Sequence, residues 1–116
     1  MQRAIKSVGN ALRGISIIFK EGRNIKIYIF CIAICALAGF YFSITQTEWM
    51  ILLLFFGLVL TAESLNIALE HTLNCISHDH REDIRDAKDV AAGAVALSVI
   101  ANIIAVAIIF LPKIFT

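Results

Sequence analysis

Residues 90–111 read VAAGAVALSVIANIIAVAIIFL, 22 residues without a charge. A helix needs about 20 mostly apolar residues to cross a bilayer, so this stretch commits the chain to a membrane. Two further segments follow the same logic. Residues 27–44 (IYIFCIAICALAGFYFSI) run uncharged for 18 residues. Residues 49–62 (WMILLLFFGLVLTA) are uncharged but too short to span alone, and the helical pattern continues through Glu63 to His71, giving a second span over 49–71. Composition agrees. Of 116 residues, 59 % are hydrophobic and 16 % charged, against about 45–50 % and about 25 % in soluble domains. Disorder is excluded by the same figures. Nucleotide folds built on G-x-G-x-x-G or G-x-x-x-x-G-K loops are excluded by the absence of either motif. Cys31, Cys35 and Cys75 are read as packing or lipid-facing thiols.

The first 24 residues differ from the rest. Ile5, Val8, Leu12, Ile15 and Phe19 fall on one helical face, and Lys6, Arg13 and Lys20 on another. This is the pattern of a basic amphipathic helix lying in the membrane interface, without the compact apolar region and cleavage site of a signal peptide. The expected fold is therefore all-α and integral to the membrane: an interfacial helix over 1–24, transmembrane helices over 27–44, 49–71 and 90–111, and a hydrophilic link over 72–89, all in one domain. Basic residues set the orientation. Arg3, Lys6, Arg13, Lys20, Arg23 and Lys26 precede the first span, and Arg81, Arg85 and Lys88 lie in the link, whereas 45–48 (TQTE) holds none. The amino terminus and the link are expected in the cytoplasm, which makes this a multi-pass protein of the bacterial inner membrane.

The chemistry is expected on the second span. Glu63, Asn66 and Glu70 are spaced i, i+3, i+7 and share one side of the helix. Ionisable residues inside a membrane are costly and point to function. The two carboxylates stand about 10 Å apart along the axis, so they can serve different tasks. Glu63 is deeper and partly desolvated, which suits a general base. Glu70 meets water and can hold Mg²⁺, an ion that takes one or two carboxylates plus substrate phosphates. Lys88 and Asp89 are expected just before the third span, where free N–H groups at a helix start would favour an anion. His71, Cys75, His78 and His80 match no closed zinc spacing.

These residues resemble a known family. Glu63-Ser64-Leu65-Asn66-Ile67-Ala68-Leu69-Glu70, followed by Ala87-Lys88-Asp89-Val90-Ala91-Ala92-Gly93-Ala94-Val95, is similar to the paired motifs of the prokaryotic diacylglycerol kinases, which include the undecaprenol kinases. The resemblance extends to Arg3, Lys6, Gly9 and Gly14 and to Arg23-Asn24-Ile25-Lys26, the last closer to the undecaprenol kinase branch. It implies a homotrimer that transfers the γ-phosphoryl of ATP to a lipid hydroxyl with Mg²⁺, with no nucleic acid involved. It places Glu63 as general base, Asn66 beside it as a catalytic residue, and Glu70 as a metal ligand near the phosphates. Arg3, Asp79, His80, Arg81, Lys88 and Asp89 fall at nucleotide-site positions. The sequence departs from the family twice. Gly22 stands where a second metal-binding Glu is usual, with Glu21 as its neighbour, and Asn74 stands where Asp is common. A non-catalytic protein of the same fold and, further off, a proton-coupled transporter subunit are the alternatives.

Overall fold

The computed structural model describes residues 1–76 and 81–116. It contains four helices among them: α1 (Gln2–Glu21), α2 (Ile25–Phe42), α3 (Gln46–Ile76) and α4 (Glu82–Ile114). The all-helical expectation holds, and α2, α3 and α4 are each long and apolar enough to cross a membrane. Helix α1 buries none of its residues, and the apolar face formed by Ile5, Val8, Leu12, Ile15 and Phe19 is open. The adjoining side of α1 lies along α3, where Gly14 and Ile18 flank Ile67 and Ala68.

Two tight corners connect the first three helices. At the α1–α2 corner the Gly22 N–H donates to the Ile18 carbonyl at 2.8 Å, and Ile25 is driven to 1 % exposure. At the α2–α3 corner Ser43 is left-handed (φ 50°, ψ 55°). The Ser43 N–H donates to Phe40 O and the Ile44 N–H to Gly39 O, the paired bonds that close a helix C-terminus. Helix α3 then opens with a reciprocal cap: the Glu48 N–H donates to Thr45 Oγ1 at 3.2 Å, and the Thr45 N–H to Glu48 Oε1 at 2.9 Å. Gly39 makes room for Trp49, since a Cβ there would fall 2.5 Å from the indole.

The main interior lies between antiparallel α3 and α4. Leu52, Phe56, Val59, Glu63 and Ile67 are buried on α3, and Ile84, Ala91, Val95, Ser98, Asn102, Ala105 and Ile109 on α4. Spacings of three and four residues keep each stripe facing the other helix, as in coiled-coil packing. At one end Ile44, Leu52, Phe56, Ile109 and Phe110 form an apolar cluster, and Lys113 pairs with Glu48 at 3.3 Å beside it. Large apolar side chains such as Leu53, Leu58, Leu97 and Ile108 are exposed along the outer faces, as lipid-facing positions require.

Helices α3 and α4 outrun the apolar segments that announce them. With 31 and 33 residues they are about 46 and 50 Å long, against a hydrocarbon core about 30 Å thick. The excess lies at the end away from Trp49, so much of the hydrophilic stretch over 72–89 is helical. This corrects one expectation. Lys88 and Asp89 do not precede a helix; they lie inside α4, which begins at Glu82. Their backbone N–H groups are engaged within the helix and offer nothing to an anion. The free N–H groups belong to the turn that starts at Glu82 and Asp83, whose carboxylates already complement them. Hydropathy marks where apolar sequence starts, and charged residues of good helix propensity carry this helix back two more turns.

Candidate active site

Helix α3 touches each of the other three, and its polar stripe lies where they converge. With Trp49 at one boundary, Glu63 is about 21 Å along the axis and Glu70 about 32 Å. In a core about 30 Å thick, Glu63 is submerged and Glu70 emerges. Burial follows the same order: Glu63 is 4 % exposed, and Glu70 is half-buried.

The three stripe residues do not share one cavity. Asn66 lines a groove of about 800 Å³ between α3 and α4, together with Asp86, Ala87 and Ala91 of α4. The Asn66 Oδ1 atom is buried there without a hydrogen-bond partner among the described residues. Glu63 does not line that groove. It lies toward the α1–α2 corner, with Arg23 and Glu70 among its neighbours. Tyr28 of α2 is another neighbour of Glu63. A step of three residues rotates the side chain by about 60° from full register, enough to place Glu63 and Asn66 on opposite sides of the α4 contact. Sequence reading missed Arg23 and Tyr28 as neighbours of the site. Only the sharp corner at Gly22 brings them there, and no spacing rule reports a corner.

Glu21 reaches α3 from the end of α1. Its Oε2 contacts His71 Nε2, next in sequence to Glu70. The helix end therefore delivers a carboxylate to the rim despite Gly22. Lys88 is also at the rim and donates to Asn74 Oδ1 at 2.9 Å, joining the last turn of α3 to the second turn of α4. Asp89 beside it is exposed. Arg81 sits at the N-cap of α4 and pairs with Asp83 at 3.0 Å, both side chains largely open. Arg3 is not brought to this group within one chain, being about 27 Å along α1 from Glu21. Asp79 and His80 lie outside the described residues, as does His78.

The donor chemistry suits a hard cation. Among the described residues no three His, Cys, Asp or Glu side chains gather into a closed metal cage. Glu70 and Glu21 offer carboxylate oxygens near the water boundary, and Mg²⁺ asks for no more than one or two of these beside phosphate oxygens.

The comparisons with known proteins bear on this arrangement directly. The family model described as prokaryotic diacylglycerol kinase matches residues 9–110. An undecaprenol kinase of Bacillus subtilis (strain 168) is 35 % identical over 113 residues, covering 97 % of this chain and 92 % of the relative. The match takes in both motifs on α3 and α4, all three membrane helices and most of α1. The chain thus belongs to the prokaryotic diacylglycerol kinase family and is an ATP-dependent lipid kinase of the membrane.

Proposed function

We propose that the protein phosphorylates the primary hydroxyl of undecaprenol at the cytoplasmic face of the bacterial inner membrane, with Glu63 as general base. The observation that carries this reading is the depth difference on α3: a carboxylate at 4 % exposure inside the hydrocarbon boundary and a second, half-exposed one at the boundary. A lipid alcohol arrives from the bilayer and ATP from water, so the two substrates can meet only there. The choice of undecaprenol over diacylglycerol rests on the relative, which is an undecaprenol kinase.

In this mechanism the lipid keeps its chain in the bilayer and presents its hydroxyl to Glu63. The carboxylate takes the hydroxyl proton as the oxygen attacks the γ-phosphorus and the bond from that phosphorus to the bridging oxygen breaks, releasing ADP. Asn66 faces the α3–α4 groove, away from Glu63, and from there its amide N–H groups would donate to the phosphoryl oxygens while its oxygen accepts from a substrate hydroxyl. Glu70 would hold Mg²⁺, with Glu21 as second carboxylate, and when bound the ion offsets charge on the phosphates. Lys88 adds a positive charge to the same end. Asp89 and Arg81, together with Asp79 and His80, border the nucleotide. Arg3 serves the nucleotide of a neighbouring subunit in a homotrimer, since its own site is too far along α1. Transfer is direct, from ATP to lipid, without a phosphoenzyme.

The test is a phosphorylation assay in mixed micelles with Mg²⁺ and γ-labelled ATP, offering undecaprenol and diacylglycerol side by side. Wild-type protein is expected to label undecaprenol preferentially. Glu63→Gln is expected to lose at least about 100-fold in turnover, the size of a general-base contribution, while still binding ATP. Preferential labelling of diacylglycerol would overturn the substrate assignment. A Glu63→Gln enzyme of near-normal rate would overturn the base. Label remaining on the washed protein would overturn direct transfer.

A further inference from the structure

Lys88 lies in acidic company. Glu82, Asp83, Asp86 and Asp89 share its stretch of α4, yet among the described residues none of them pairs with it. Its ammonium donates instead to a neutral amide oxygen, Asn74 Oδ1, across the α3–α4 junction. Both residues are half-buried, so the bond is sheltered from competing water. An ammonium has three donors and one unit of charge. A neutral acceptor occupies one donor, fixes the direction of the side chain and leaves the charge whole. A carboxylate at the same place would fix the direction equally well and cancel most of the charge.

We propose that Asn74 is a positioning residue for phosphoryl transfer: its amide aims the Lys88 ammonium while leaving the full positive charge to the phosphates of ATP. The inference rests on the reading of Lys88 as a phosphate-binding residue. It concerns nucleotide affinity rather than the chemical step, because Asn74 lies about 16 Å along α3 from Glu63 and touches no reacting atom.

The experiment measures kcat and the KM for ATP on the full chain in mixed micelles at saturating lipid. The variants are Asn74→Asp, Asn74→Ala, Lys88→Met and the double variant Asn74→Asp/Lys88→Met. Asn74→Asp keeps the bond and the helix junction, so melting temperature is expected to hold or rise. Its KM for ATP is expected to rise about fivefold, the competition a half-buried ion pair at the upper end of the surface range can offer, with kcat within about twofold. Asn74→Ala is expected to raise KM as well, and to lower melting temperature because the junction is lost. In the Lys88→Met background Asn74→Asp is expected to add nothing further, since the effect passes through Lys88. An Asn74→Asp enzyme with unchanged KM, beside a Lys88→Met enzyme whose KM is raised, would overturn this inference alone. So would an Asn74→Asp effect that persists without Lys88. A Lys88→Met enzyme with unchanged KM would overturn the phosphate role of Lys88 and this inference with it.

Discussion

Replacing Gly22 by alanine tests the α1–α2 corner on which the site depends. The backbone at Gly22 has φ −66° and ψ 118°, a conformation open to any residue, so no strain arises from the dihedrals. The obstacle is space. A Cβ there would lie 2.8 Å from the Ile18 carbonyl oxygen and 3.1 Å from the Ile25 Cβ. The first of these is backbone and already accepts the Gly22 N–H. The second belongs to a side chain at 1 % exposure. Neither can yield readily, and crowding of this kind costs about 1–3 kcal/mol. Helix α1 buries nothing and is pinned near this corner by the Glu21–His71 contact, so the strain is relieved most readily by swinging α1 off α3. Gly22→Ala should therefore lower the melting temperature in detergent by several degrees, speed hydrogen exchange and proteolysis in α1, and reduce turnover as Glu21 and Arg23 leave the rim. Gly22→Glu should do the same, since its Cβ meets the same two obstacles. An alanine variant with wild-type melting temperature, α1 protection and rate would refute the reasoning, because the corner would then have room for a side chain.

Glu48→Gln and Lys113→Met each break the pair at the end away from the acids. Each should lower the melting temperature only slightly, as a surface ion pair stabilises little, and leave kcat unchanged, as a thermal melt and the lipid assay will show. Gly39→Ala forces a methyl group against Trp49, the one tryptophan of the chain; the indole should be displaced, shifting its fluorescence maximum, with activity largely kept. Glu70→Gln should raise the Mg²⁺ concentration for half-maximal rate by about tenfold while Glu63→Gln leaves that midpoint alone, since the proposed mechanism gives the metal to the rim carboxylate and not to the buried one. A magnesium titration of residual activity separates the two.

The membrane helices are legible in the sequence because the bilayer imposes a requirement on composition itself: 22 uncharged residues in a row are what a lipid-embedded helix needs and what a soluble one rarely has. The paired motifs are legible because they keep their chemistry within eight or nine consecutive residues of one helix. Whatever depends on direction is not. The reciprocal cap of Thr45 and Glu48 is written in the sequence as T-x-x-E, but it lies in a link of four residues whose lack of basic charge is its more conspicuous feature. The true start of α4 is hidden because Glu82 to Asp89 is charged, and hydropathy cannot tell a charged helix from a loop. Lys88 and Asp89 belong at the end of the molecule that the sequence indicates, but not through a helix terminus, which lies about two turns earlier. Arg23 and Tyr28 become neighbours of Glu63 only through a corner whose geometry rests on the missing side chain of Gly22.

The separation of Glu63 and Glu70 along α3 raises a difficulty. An axial offset of about 10 Å is wide for two groups that must act on one phosphoryl transfer. Both side chains lean toward the amino terminus of the helix by the same amount, so the offset stands, and the two glutamates remain neighbours across two turns of one helix side. That closeness between like charges is unfavourable unless something positive lies near both. Arg23, brought in by the α1–α2 corner, supplies one such charge to Glu63, and a cation on Glu70 would supply another. In the proposed mechanism a magnesium nucleotide arriving from water and held by Glu70 would relieve that repulsion. In that proposed mechanism depth would keep the base dry and the rim would keep its partner wet, with a single helix crossing the boundary fixing the distance between them.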